Sequence, residues 1–272
     1  MSVYITSLNS GSNGNCYYVG NQQEAILVDA GISCRETEKR MARLGLSMSK
    51  VKAIFVSHEH SDHIRGIPVL AKKYGLPVYI TRGTLQYSGL NLNPDQVVFL
   101  QSLDRVQIGG LSILAFPKLH DAGDPHSFVI TCNEIKIGVF TDIGAVCQQV
   151  IAHFKQCHAV FLEANYDEQM LEQGRYPYHL KARIKGGKGH LSNRQALQLF
   201  MDHRPLHLSH ILLAHLSQDN NNPQLVNALF NQHAQGVHVS VASRHQETPV
   251  YCIGNGMYQV LTRPEAQQYA LF

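Results

Sequence analysis

Six consecutive residues, His58-Glu-His60-Ser-Asp62-His63, follow an apolar run that closes at Ser57. Alternate side chains in a short extended turn point the same way, so His58 and His60 can offer both imidazoles to one cation. Asp62 and His63 then fall where the chain bends into a helix, displaced enough to serve a second cation. In a chain of this length and composition the pattern arises by chance in about two cases per thousand. One hexad does not complete a two-cation centre, so its partners must lie downstream. Three apolar runs supply them: Phe116-Pro-Lys-Leu-His120, Gly138-Val-Phe-Thr-Asp142 and Ile211-Leu-Leu-Ala-His215. A fourth, Ala25-Ile-Leu-Val-Asp29, has the same form. Side chains at such strand ends are held by a rigid sheet edge, as ligands need to be.

Two cations roughly 3.5–4 Å apart acidify a shared water and clamp the attacking and leaving oxygens of an ester or phosphodiester. Asp62 is placed to orient that water or take its proton, and His190 to protonate the leaving oxygen. Ser192-Asn193, just after His190, also reads as a helix N-cap. A donor set rich in histidine and carboxylate suits Zn²⁺, Mn²⁺ and Fe²⁺ alike.

The elements that must position these residues alternate along the chain. Strands are expected at Val3–Leu8, Cys16–Val19, Ala25–Val28 and Ala53–Ser57, with helices at Glu36–Leu44 and Ile64–Tyr74. Strand pairs follow around Val97–Leu114 and Phe128–Phe140, the latter a hairpin across Cys132-Asn133-Glu134. The second half continues with helices near Ala145–His153, Asn193–Asp202 and Pro223–Gln235. Strands His158–Leu162, Ile211–Ala214 and Val237–Val241 lie between and after them. No linker or fixed-period repeat interrupts the chain, so two mixed sheets with helices outside, in one domain over residues 1–272, are expected.

In order and spacing, Asp29, the hexad, His120, Asp142 and His215 resemble the five motifs of the metallo-β-lactamase fold hydrolases. The resemblance covers nearly the whole chain. It implies a four-layer αββα sandwich of two mixed β-sheets flanked by helices, with the site at one edge of the paired sheets. It also implies that His58, His60 and His120 hold one metal, that Asp62, His63 and His215 hold the other, and that Asp142 bridges them. Asp29 would support the site without ligating. Ser7-Leu-Asn-Ser-Gly-Ser-Asn-Gly-Asn-Cys16, His120-Asp-Ala-Gly-Asp-Pro125, Glu163-Ala-Asn165-Tyr-Asp167, Gly189-His190-Leu-Ser-Asn193 and His215-Leu-Ser-Gln-Asp-Asn-Asn-Asn-Pro223 are similar to the WalJ/YycJ (VicX) subfamily. That group is associated with metal-dependent nuclease activity on DNA. Tyr166 departs from it, standing where histidine is expected, and alters activity if that position handles phosphate.

Substrate class turns on the segment Gly174–Arg194, which carries Arg175, Lys181, Arg183, Lys185, Lys188 and Arg194 and no acidic residue. Such a run is an ordinary solvated face unless it borders a site. Here it abuts His190, and the glycines around Lys188 permit close approach, so Lys181, Arg183, Lys185, Lys188, Ser192 and Asn193 are expected to bind phosphates. The opening loop Asn9–Asn15 fits equally a set of backbone donors or a simple turn. DNA is the expected partner. A small phosphodiester or ester is the alternative substrate, and a regulatory metal-binding protein without turnover is a third reading.

Composition sets the remaining bounds. Hydrophobic residues at 44% exclude a disordered chain, and a net charge of +3 is too mild to name a polyanion unaided. No apolar run approaches the roughly 18–20 residues of a membrane span. Six scattered cysteines (Cys16, Cys34, Cys132, Cys147, Cys157, Cys252) contain no C-x-x-C pair. With an opening that lacks a basic and then apolar leader, they predict a cytoplasmic protein with reduced thiols, which disfavours a β-lactamase.

Overall fold

The structure, a computed structural model, describes residues 2–254 and the backbone of the strand at 259–261. Among the described residues the strands form two mixed sheets, of eight and seven strands. From edge to edge the first runs Gln259–Leu261, Val250–Ile253, Val3–Asn9, Cys16–Gly20, Ala25–Val28, Val51–Phe55, Val78–Thr81 and Val97–Leu100. Its pairing is antiparallel as far as Ala25–Val28 and parallel beyond. The second runs His238–Val241, His210–Ala214, Ala159–Glu163, Ile135–Phe140, His126–Cys132, Leu111–Pro117 and Arg105–Ile108. There the first four are parallel and the rest antiparallel.

Alternation along each strand divides the core into three. Val3, Ile5, Tyr17, Val19, Ile26, Val28 and Phe55 from one sheet meet Ile113, Phe128, Ile130, Ile137, Phe161 and Leu212 from the other. The opposite face of the first sheet, with Tyr18, Leu27 and Ile54, packs on Met41, Ile67 and Leu70 of helices Cys34–Arg43 and Ile67–Tyr74. The opposite face of the second, with Phe140, Val160 and Leu213, packs on Phe154, Phe200 and Phe230 of three further helices. Strands covered on both faces are continuously apolar, which is why Ala25–Val28 and His210–Ala214 are buried throughout. The αββα expectation holds.

Three local readings change. The helix expected over Ile64–Tyr74 is two, Ser61–Ile64 and Ile67–Tyr74, separated at Gly66. A β-carbon on Gly66 would lie 1.9 Å from the Ile32 carbonyl oxygen, and one on Gly31 would lie 1.6 Å from that of Asp62. Only glycine lets the loop after Asp29 interlock with the hexad at this distance. The stretch around Val97–Leu114 divides between the sheets, with Val97–Leu100 edging the first and Arg105–Ile108 edging the second. The basic segment, read only as a charged run, contains the helix Tyr178–Lys185, which has no buried residue.

All the strands that carry the motif residues run towards one edge of the sandwich. Asp29, Ser57, His120, Asp142 and His215 follow their strands there, and Glu163 ends its own. Asp29, Asp142 and His215 have left-handed backbones, with φ of 60°, 54° and 57°. That conformation is costly for a residue with a β-carbon, and such strain concentrates where side chains must be aimed.

Candidate metal centre

At this edge the nitrogens and oxygens of the hexad meet those of the downstream strand ends. His58 Nε2 lies 3.0 Å from His60 Nδ1, which lies 3.3 Å from His120 Nε2. Asp62 Oδ2 is 3.4 Å from both His63 Nε2 and His215 Nε2. Between the two sets stands Asp142. Its Oδ1 is 4.0 Å from His58 Nε2 and 3.8 Å from His120 Nε2, while its Oδ2 is 3.3 Å from His63 Nε2. His58, His60 and His120 thus lie together, as do Asp62, His63 and His215, with Asp142 between the two groups.

Four of the five imidazoles are aimed by a bond on the other nitrogen. Asp29 can only accept, so the 2.7 Å contact is His63 Nδ1–H donating to Asp29 Oδ2. Ser57 Oγ also donates to Asp29, at 2.8 Å, and accepts from His58 Nδ1–H at 2.9 Å. His120 Nδ1–H donates to the Gly189 carbonyl at 3.0 Å, and His215 Nδ1–H to Glu163 Oε1 at 3.1 Å. These bonds fix tautomers and leave the Nε2 lone pairs facing inward. Ring nitrogens that face one another this closely are accommodated by a cation between them, a proton or a metal. Asp142 Oδ2 gives the same indication, being buried with no hydrogen-bond partner. The donor set and this orphaned oxygen fit a pair of divalent metals.

Electrostatics agree. Burial, His63 and Lys118 hold His58 well below the ordinary histidine range, and burial brings His120 down to about 4. Burial opposes charge on His63 and His215 too, but carboxylates overcome it. Asp142, Asp62 and Asp29 raise His63, and Asp142, Asp62 and Glu163 raise His215 to about 10. The acids answer in kind: despite burial, His63 and His215 depress Asp62, and His190 takes Glu163 down to about 2. Without a cation, the cluster keeps protons where metals belong.

A cleft of about 230 Å³ opens onto this centre, lined by His60, Asp62, Asp142, His190 and His215 among others. His190 donates Nδ1–H to Glu163 Oε1 at 2.8 Å, which leaves Nε2 for the cleft. Of the basic segment, Arg183 lines the cleft and pairs with Asp121, whose other oxygen is 3.4 Å from His120 Nε2. Lys181 and Lys185 instead turn to Glu172, one on its carbonyl and the other on its carboxylate at 2.8 Å. Lys188 is exposed and does not line the cleft. Ser192 and Asn193, expected to touch substrate, are buried: Ser192 caps the helix Asn193–His203 in a capping box, and Asn193 exchanges amide bonds with Asn221. Tyr166 is buried and does not line the cleft.

Four residues of the site escaped the sequence reading as site residues. Glu163 is buried and accepts from His190, His215 and the Ile143 and Leu191 amides. It closes the apolar run Ala159-Val-Phe-Leu, the signal that singled out Asp29. Asp121 and Asn165 also line the cleft, and Asn165 Nδ2 donates to the His215 carbonyl at 2.7 Å. Asn15 donates to Asp62 Oδ2 at 3.0 Å, and no local pattern announces it.

Known proteins resemble this chain in the same respects. Residues 24–215 match the family model described as beta-lactamase superfamily domain. Over 235 residues the chain is 37% identical to exodeoxyribonuclease YycJ of Bacillus anthracis, covering 85% of this chain and 89% of that protein. It is 32% identical over 235 residues to exodeoxyribonuclease WalJ of Streptococcus pneumoniae, covering 84% and 87%. In fold it is similar to the metallo-beta-lactamase fold protein YhfI from Bacillus subtilis, with a TM-score of 0.68 at 16% identity over 91% of this chain and 99% of that one. Zn²⁺-bound PqqB from Methylobacterium extorquens gives 0.67 at 16% identity, over 90% and 99%.

Proposed function

The chain belongs to the β-lactamase superfamily, and on that premise we propose that it is a metal-dependent exonuclease that hydrolyses phosphodiesters at DNA ends through a two-metal centre. The observation that carries the reading is the pair of three-donor sets with Asp142 between them, its Oδ2 lacking a partner. The names of the relatives, exodeoxyribonucleases matched over most of their length, support DNA as the substrate. His58, His60 and His120 would hold one cation, Asp62, His63 and His215 the other, and Asp142 both. Zn²⁺ or Mn²⁺ suits this set, and Fe²⁺ is compatible with it. Bound there, divalent metals acidify water and neutralise phosphate charge.

The chain's own groups supply the rest. Asp62 borders the cleft and takes the proton of the attacking water. His190, held by Glu163 through Nδ1, gives a proton from Nε2 to the leaving oxygen as the P–O bond breaks. Arg183, at the cleft wall, is the cation placed to meet the next phosphate. The free, mostly buried cysteines support the cytoplasmic reading, and among the described residues no helix is long and apolar enough to cross a membrane. The core shared by both sheets supports one domain.

A second reading has its own observation. With Lys181 and Lys185 turned to Glu172, the segment offers no continuous phosphate track, which favours a small phosphodiester. Turnover on end-labelled DNA and on an aryl phosphodiester, with metal content measured, separates the two. His60→Ala and Asp142→Ala should each lose at least one metal and reduce hydrolysis by orders of magnitude. Full turnover by a metal-free His60→Ala protein would sink the mechanism.

A further inference from the structure

The loop between the first two strands takes no part in the chemistry above, yet it touches the second donor set from two sides. Asn15 is fully buried, and the orientation of its amide is unambiguous. The Gly11 N–H can only donate, and it reaches Asn15 Oδ1 at 3.0 Å. The Asn15 amide nitrogen therefore faces the second donor set: it donates to Asp62 Oδ2 at 3.0 Å, the oxygen that lies 3.4 Å from both His63 Nε2 and His215 Nε2, and it stands 3.1 Å from His63 Nε2 itself. Tyr17 donates its hydroxyl proton to Asn15 Oδ1 at 3.1 Å and accepts from Ser10 Oγ at 2.8 Å. Ser10 Oγ in turn accepts the His215 backbone N–H at 2.7 Å, at the residue whose backbone is left-handed. Each of these three side chains is fully engaged, which makes the chain of bonds rigid. Asp62 comes from the first sheet's loops and His215 from the second's, so the network spans the seam between the sheets. Among the described residues no hydrogen bond from this loop reaches His58, His60 or His120.

We propose that Asn15 is a positioning residue for the second cation. It fixes the carboxylate of Asp62 through Nδ2, Ser10 fixes His215, and Tyr17 couples the two. The inference rests on the two-metal reading above and adds a selectivity to it: disturbing the loop loosens one metal and spares the other. Partners that orient metal ligands are typically worth about 10–100-fold in affinity.

Asn15→Leu keeps the volume and removes the donor, and Tyr17→Phe removes one link while keeping the ring. Full-length proteins loaded with Zn²⁺ are dialysed against graded chelator and the metal retained is counted by elemental analysis, beside thermal melts. Wild type should hold two equivalents. Asn15→Leu should release the second about 10–100-fold more readily with the first unchanged, and Tyr17→Phe should shift it less in the same direction. Turnover of an aryl phosphodiester should fall in kcat with KM nearly constant. Two equivalents loosened alike, or neither, overturns the assignment, because a merely structural role does not choose between metals. A wild type with one equivalent refutes the two-metal reading and the inference with it. If Asn15→Leu does not fold, Tyr17→Phe decides by the same criterion.

Discussion

The role proposed for His190 is one that substrate chemistry can isolate. Its Nδ1 is spent on Glu163, and it belongs to neither of the two three-donor sets on either side of Asp142. If its Nε2 proton reaches the leaving oxygen, His190→Ala should keep both metals and slow ordinary phosphodiesters strongly. A nitrophenolate leaves without a proton, so its release should be spared. Equal losses on both substrates would make His190 structural. Proton competition gives a second residue-scale test, on metal binding. In the metal-free protein His215 titrates near 10 against a usual 6.5, so its stabilising proton is fully present below the usual value and lost as pH rises through about 10. His63 moves in the same direction, while Asp62 and Glu163 stay ionised through the neutral range. Metals must displace those protons, so affinity should climb from pH 6 to pH 9. Loading near neutrality should release about two protons, read by calorimetry in buffers of different ionisation enthalpy. Affinity that ignores pH would contradict this electrostatic picture.

The helix Tyr178–Lys185 shows how much a charge count can mislead. Its segment has no acid of its own, but Glu172, in the preceding helix Glu168–Gln173, engages both Lys181 and Lys185. No window confined to Gly174–Arg194 reveals that. The strand-end residues were legible because a sheet edge converts a local pattern, an apolar run and then a polar residue, into a common location. Glu163 obeyed that rule but ended its run inside the strand, and Asn15 reaches Asp62 only through tertiary contact. The capping function of Ser192-Asn193 was legible, since it needs only neighbours in sequence. Binding to DNA should therefore depend on the arginine of this helix and not on its two lysines. Arg183→Gln should weaken all DNA sequences alike and flatten the log-affinity against log-salt line by about 0.7 for a single strand. The Lys181→Gln/Lys185→Gln pair should leave the slope unchanged. Equal slopes for the two variants would restore the continuous phosphate track.

At the scale of the whole molecule, the metals would act as a fastener between sheets. Asp29 and the hexad belong to the first sheet's edge, and His120, Asp142, Glu163 and His215 to the second's. Between the sheets lies an extensive apolar core to which no metal position contributes, so the metal-free chain should fold, with its strained edge relaxed. Cations that bind only the assembled edge then stabilise the fold by mass action. At a free concentration 100 times the dissociation constant this amounts to about 2.7 kcal/mol per site. For a protein of this size that raises Tm by about 5–10 °C per site. Melts of the apo and loaded protein should differ by this much or more, and the increment should grow with metal concentration. His60→Ala removes a donor from the first set alone and should forfeit about half of it. A loaded wild type that melts with the apo protein would mean that the metals do not bridge the sheets, whatever they do for turnover.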